Sequence, residues 1–187
     1  MWKRLVSICL ALTATLSPAT RAGDNVGWHD CFTQAAARYR IAPDILIAIA
    51  SAESALDPSA VHINANGSSD MGLMQVNSLW LPALREAGIE PKSLYEPCTS
   101  IWVGAWILAQ SIARHGYGWE AVGAYNAGHG RDAGTVRRRM RYAHRVFDHL
   151  HRLHTEQRLH DGADAIPLLA AGNPPTADNT DHPDIRR

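Results

Sequence analysis

Residues 45–56 read ILIAIASAESAL, apolar or small at every position except Glu53. Helical spacing puts Ile45, Ile49, Ala52 and Glu53 on one face, so the lone carboxylate points toward the protein body or a cleft. Pro43 suits the first turn of such a helix, and Asp44 follows where the helix dipole favours negative charge. The helix is expected to stop near Leu56, because Asp57 precedes Pro58. Burial raises the pKa of a carboxyl group, and the negative end of the dipole disfavours its ionised form. Both effects keep a carboxyl protonated near neutral pH, as a general acid requires. A Glu at a helix end turned outward to solvent is the alternative, and the helix alone does not choose between them.

The rest of the chain reads as helical, with one long interruption. A helix is expected over 31–39 with Asp30 as its N-cap. Residues 57–77 lack helical periodicity and carry Pro58, Asn64, Asn66, Gly67 and Gly72, so they form a long polar connection. A short strand or hairpin is expected near 71–77. A helix follows over 78–87. From Cys98 to His115, Ile101, Ala105, Leu108 and Ile112 form one stripe with Trp102, Trp106 and Ala109 beside it. Helices over 118–127 and 135–154 complete the set, the last presenting Val136, Met140, Ala143, Phe147 and Leu150 on one face. The fold class is therefore all-α, one compact domain with at most a small β-hairpin.

Lys3 and Arg4, an apolar run from Leu5 to Leu16 and small residues after it give a secretory signal peptide over 1–22. The run is short for a membrane anchor. The expected domain is 23–155, followed by a flexible tail over 156–187 rich in proline and polar residues. Losing the leader leaves 15 basic against 18 acidic residues, which offers no argument for binding nucleic acid. Cys9 leaves with the leader. Cys31 and Cys98 remain, and in an oxidising compartment they most simply pair. Two buried free thiols are the alternative.

Three short motifs add chemistry in order: Glu53-Ser54, Gly72-Leu73-Met74-Gln75 followed by Val76-Asn77, and Ala124-Tyr125-Asn126-Ala127-Gly128. With them the sequence resembles the soluble-type lytic transglycosylases of goose-lysozyme-like fold, over about residues 28–150. It is most similar to small single-domain members that accompany secretion systems, pili and conjugation machines, and the positions of Cys31 and Cys98 fit that group. The resemblance implies a periplasmic enzyme that cuts peptidoglycan glycan strands and leaves a 1,6-anhydro sugar. It implies Glu53 as the catalytic residue. It implies Ser54, Gly72, Met74, Gln75, Asn77, Tyr125 and Asn126 as substrate-binding positions, Tyr125 also as a holder of Glu53. No cofactor or metal is expected. The implied partners are the glycan strands and components of a type III or type IV secretion, pilus or conjugation apparatus. A monomer is expected.

Glycosidases usually use two carboxylates. Asp57 and Asp70 are the nearest acids, and both are expected to shape local backbone; the resemblance puts the second group on the sugar's own acetamido oxygen. Trp80, Trp102, Trp106 and Trp119 are candidates for stacking on sugar rings, with the core favoured for Trp102 and Trp106. Five histidines lie between His144 and His160, but only His151 and His154 have a helical ligand spacing, so a solvated face is expected. Residues 131–152 hold seven arginines against two aspartates, a basic stretch that suits either an anionic partner or plain solvent. Two other readings stay open: a hydrolytic muramidase of the same fold, and a non-catalytic assembly factor.

Overall fold

The structure is a computed structural model that describes residues 24–160. The expected leader and residues 161–187 lie outside the described residues. Among the described residues there are six α-helices and one small antiparallel sheet, α1 being Asp24–Tyr39 and α2 Pro43–Ser54. The first helix begins before the expected Cys31 start, so Asp30 lies inside it and is not its N-cap. Residues 24–30 carry little apolar periodicity, and Trp28 is the residue there that packs on the core.

Leu46, Ala48, Ile49 and Ala50 of α2 are buried. The helix ends before Leu56, ahead of the Asp-Pro stop. Ala55 and Leu56 both turn left-handed, at φ 54° and 65°. Their N–H groups donate back to the Ser51 and Ala50 carbonyls, which satisfies the open carbonyls of the last turn.

The polar connection holds three strands, more than the single hairpin expected. They are β1 (Val61–Ile63), β2 (Ser69–Met71) and β3 (Val76–Asn77), in that spatial order. Val61 pairs with Met71, and Asp70 with Asn77. Every residue of β1 is exposed, so no inward–outward alternation marked it in the sequence. A 3-10 turn (Ser78–Trp80) and α3 (Leu81–Glu86) replace the single helix read over 78–87.

α4 (Pro97–His115) is the central helix, with Ser100, Ile101, Val103, Gly104, Ala105, Ile107, Leu108 and Ser111 buried around most of its circumference. α5 (Trp119–Ala127) packs on α6 (Ala133–His160). The contact is close because Gly123 has no side chain; a Cβ there would lie 2.5 Å from the Arg139 carbonyl oxygen. α6 runs past the expected domain boundary at 155. Its buried stripe is Thr135, Arg139, Tyr142, Ala143, Val146 and Leu150. The expected stripe shares only Ala143 and Leu150 with it, and Val136 is 39% exposed. An arginine and a tyrosine occupy two positions of the true stripe, which a count of apolar residues alone passes over.

Cys31 and Cys98 form a disulfide that joins α1 to the first turn of α4, with Cα atoms 5.4 Å apart. Among the described residues no helix is long and apolar enough to cross a membrane.

The bridge spans 67 residues, and a loop of that size removes about 4 kcal/mol of unfolded-chain entropy. The Cys31→Ser/Cys98→Ser variant is expected to lose stability of this order in urea unfolding, and reducing agent is expected to do the same to the wild type alone.

Candidate active site

Glu53 lies in the last turn of α2 and opens onto a cleft of about 1300 Å³. One wall is the sheet and the turn after it, from Asn64 to Trp80. The other is α4, with Ile107, Gln110, Ser111 and Arg114, and the C-terminal end of α5. The Tyr142 hydroxyl of α6 donates to Glu53 Oε1 at 2.6 Å.

The Glu53 pKa is raised from 4.5 to about 7. Burial is the main cause, and the Asp70 charge adds to it. The Tyr142 hydrogen bond, the Arg145 charge and the Asn126 side chain pull the other way, yet desolvation wins. Tyr142 itself stays a phenol, since burial and the neighbouring Glu53 charge push its pKa well up. Its ring stacks with that of Tyr125 at 6.4 Å between centroids, and the Arg145 guanidinium lies 5.2 Å over it. The group is therefore a carboxyl that can give up or take back a proton near pH 7, with one fixed phenolic donor.

The motif residues divide into two sets. Gln75, Asn77, Tyr125 and Asn126 line the cleft together with Glu53. Ser54, Gly72 and Met74 do not; they stand behind its wall. The Ser54 hydroxyl donates to the Leu73 carbonyl at 2.7 Å, tying the end of α2 to the second motif. Gly72 has φ 72°, and any Cβ there would run into the Leu94 carbonyl, so this glycine serves backbone packing. Met74 is fully buried. Its N–H donates to Ser100 Oγ at 3.1 Å and its carbonyl accepts the Tyr125 hydroxyl at 2.8 Å. Tyr125 thus holds the second motif in place, and Tyr142 is the tyrosine that holds Glu53.

Gln75 Nε2 donates to the Ala60 and Gly72 carbonyls at 3.0 and 2.9 Å. Asn77 Nδ2 donates to Asp70 Oδ1 at 2.6 Å, and Asn64 Nδ2 to Asp70 Oδ2 at 2.8 Å. Asp70 lines the cleft with both oxygens engaged. Asp57 lies outside it. Its Oδ1 accepts from the Ser59 N–H and hydroxyl at 2.8 and 2.7 Å, which lowers its pKa. Of the four tryptophans, Trp80 lines the cleft, with its ring edge-on to Trp106 at 5.1 Å. Trp102 packs on Tyr39 and Trp119 on Phe147. His154 Nε2 lies 2.9 Å from Asp44 Oδ2, joining the end of α6 to the start of α2.

Residues 30–147 match the transglycosylase SLT domain family. The chain belongs to this family. It is 43% identical over 130 residues to the invasion protein IagB of Salmonella typhimurium, covering 69% of this chain and 80% of that one. It is 38% identical over 135 residues to protein IpgF of Shigella flexneri, covering 72% and 88%. In fold it is similar to an inactive mutant of the lytic transglycosylase Slt from Pseudomonas aeruginosa, with a TM-score of 0.54 and 22% identity over 70% of this chain and 24% of that one.

Tyr142, which holds Glu53, and the cleft residues Arg114 and His129 escaped the sequence reading, and Arg138 entered it only within the basic stretch over 131–152. Tyr142 was findable, since it sits at helical spacing from Arg139, Ala143 and Val146. The other three come together only through the packing of α4, α5 and α6.

Removing the Tyr142 hydroxyl removes a bond that favours the carboxylate. In Tyr142→Phe the Glu53 carboxyl, followed by carbon-13 NMR, is expected to titrate above the wild-type value of about 7. A second outcome concerns stability. Glu53 titrates near 4.5 unfolded and about 7 folded. Its burial is therefore tolerated fully below pH 4.5 and opposes folding increasingly as pH rises to 7, by about 3 kcal/mol in all. Glu53→Gln is expected to match wild type in thermal unfolding at pH 4 and to exceed it at pH 8.

Proposed function

We propose that this SLT domain is a peptidoglycan lytic transglycosylase with Glu53 as its one catalytic carboxyl. It cleaves the β-1,4 bond between N-acetylmuramic acid and N-acetylglucosamine. The observation that carries this reading is the Glu53 carboxyl, with a pKa of about 7, in a cleft whose other lining acid, Asp70, is held by two amides.

The chemistry follows from that pairing. Glu53 starts protonated and gives its proton to the glycosidic oxygen as the bond to the anomeric carbon breaks. The acetamido carbonyl oxygen of the same muramic acid attacks that carbon and forms a cyclic oxazolinium, so no protein nucleophile is needed. Glu53 is now a carboxylate. It takes the proton of the muramic-acid 6-hydroxyl, whose oxygen attacks the anomeric carbon and opens the oxazoline. The product is the 1,6-anhydro sugar, and Glu53 ends protonated. No water enters the balance. A pKa near 7 suits both halves, because the same group must donate and then accept. Gln75, Asn77, Tyr125 and Asn126 are the groups along the cleft for sugar hydroxyls and amides, and Tyr142 orients the carboxyl.

In this reading the leader exports the chain to the periplasm, where it opens the wall locally for a secretion or pilus apparatus. Similarity to an invasion protein supports that setting.

Asp70 gives the hydrolytic reading its one specific support, as an acid in the same cleft coupled to Glu53. Mass spectrometry of digested sacculi separates the two. Anhydro ends are expected from wild type, with a loss of about 10³-fold or more in Glu53→Gln. Asp70→Asn is expected to leave the products unchanged in kind. Reducing ends from wild type would establish hydrolysis, and full cleavage by Glu53→Gln would remove the catalytic assignment.

A further inference from the structure

The cleft lining also carries basic residues. From Ile107 to Arg114, α4 advances about 10 Å along the wall. At that end Arg114 shares the cleft lining with His129, which follows α5, and with Arg138 of α6. Arg114 lies near enough to His129 for its charge to act on that ring, and Arg138 lines the same cleft from a third element. Burial first and the Arg114 charge next hold His129 toward its neutral imidazole, so the positive charge of the region is that of the two arginines.

The region is held rigidly from beneath. Arg139 is only 4% exposed. Its Nε donates to the Gly128 carbonyl at 2.8 Å, and its guanidinium also reaches the Gly130 carbonyl, so the turn carrying His129 is clamped on both sides. The same guanidinium donates to Glu120 Oε1 at 2.7 Å. His129 Nδ1 lies 2.9 Å from His115 Nε2, with the two rings stacked. Arg138 donates to Thr135 Oγ1 at 2.7 Å, and that hydroxyl donates to Asp132 Oδ2 at 2.6 Å.

Glu120 is engaged by Arg139 at 2.7 Å and by His115 at 3.5 Å, and Asp132 accepts from Thr135 while its charge also acts on Arg138 from beyond direct contact. Among the described residues neither Arg114 nor Arg138 forms an ion pair. Guanidinium groups in no direct contact with a carboxylate among the described residues, lining one cleft, fit an anion from the ligand. Their planar forks suit a carboxylate.

We propose that Arg114, Arg138 and His129 form a subsite for a carboxylate of the glycan substrate. This rests on the peptidoglycan reading above and specifies what that substrate must carry. Two sources share the chemistry: the carboxylates of peptide stems, and the lactyl carboxylate that is free where the peptide has been removed.

The test is binding, measured by calorimetry at fixed salt in the Glu53→Gln background, with and without Arg114→Gln/Arg138→Gln. The ligands are a peptide-bearing muropeptide tetrasaccharide, the same glycan stripped by an amidase, and the neutral N-acetylglucosamine hexamer. The double change is expected to weaken binding of at least one acidic ligand by about tenfold or more, and that ligand identifies the source. Binding of the neutral hexamer is expected to hold. Lysine at both positions keeps the charge and is expected to recover part of the lost affinity. Unchanged affinity for both acidic ligands overturns the subsite, as does an equal loss for the neutral one. Binding needs no turnover. A wild type that binds but never cleaves ends the transglycosylase reading and leaves the subsite standing; cleavage with an unshifted Kd ends the subsite alone.

Discussion

A hydrogen bond from the Tyr142 hydroxyl to Glu53 Oε1 crosses the contact between α2 and α6 at the cleft end of α2. The placement of the site depends on it. α2 is apolar enough to be buried, and the carboxyl of its last turn, Glu53, is carried into partial burial with it. There the loss of water favours the protonated form more strongly than Tyr142, Arg145 and Asn126 together favour the charged one. The Tyr142 bond limits how far the shift runs and anchors Oε1 of the carboxyl. Protonation state and orientation are thus set by the same helix packing.

The segment after α2 supplies the rest by indirect means. Ser54, Gly72 and Met74 use their polar and backbone groups on Leu73, Leu94, Ser100 and Tyr125. They position the wall on which Gln75 and Asn77 face the cleft. Asp70 is tied by Asn64 and Asn77, so an acid that lies close enough to feel Glu53 also braces the sheet. A motif of this kind encodes a shape as much as a list of contacts.

Much of this was legible in the chain. The apolar run around Glu53 announced both a buried helix and an unusual carboxyl. Strong periodicity marked α4. Strand β1 was not legible, since all of it is exposed. The buried face of α6 was misread because Arg139 and Tyr142 lie on it, and a polar side chain in a buried stripe looks like a break in the pattern. The same misreading hid the partner of Glu53. Arg114 and His129 carry no local signature and Arg138 stood out only as one of a basic stretch, so their place in one cleft is a product of tertiary packing.

The central claim is that burial tunes Glu53 to donate a proton at neutral pH. The most direct measurement is the pH dependence of kcat/KM for glycan-strand cleavage, which reports the ionisations of the free enzyme. Activity is expected to fall through a descending limb centred near pH 7, where Glu53 loses its proton. A descending limb at an ordinary carboxyl value near 4.5, or activity that stays flat to well above pH 9, would contradict it.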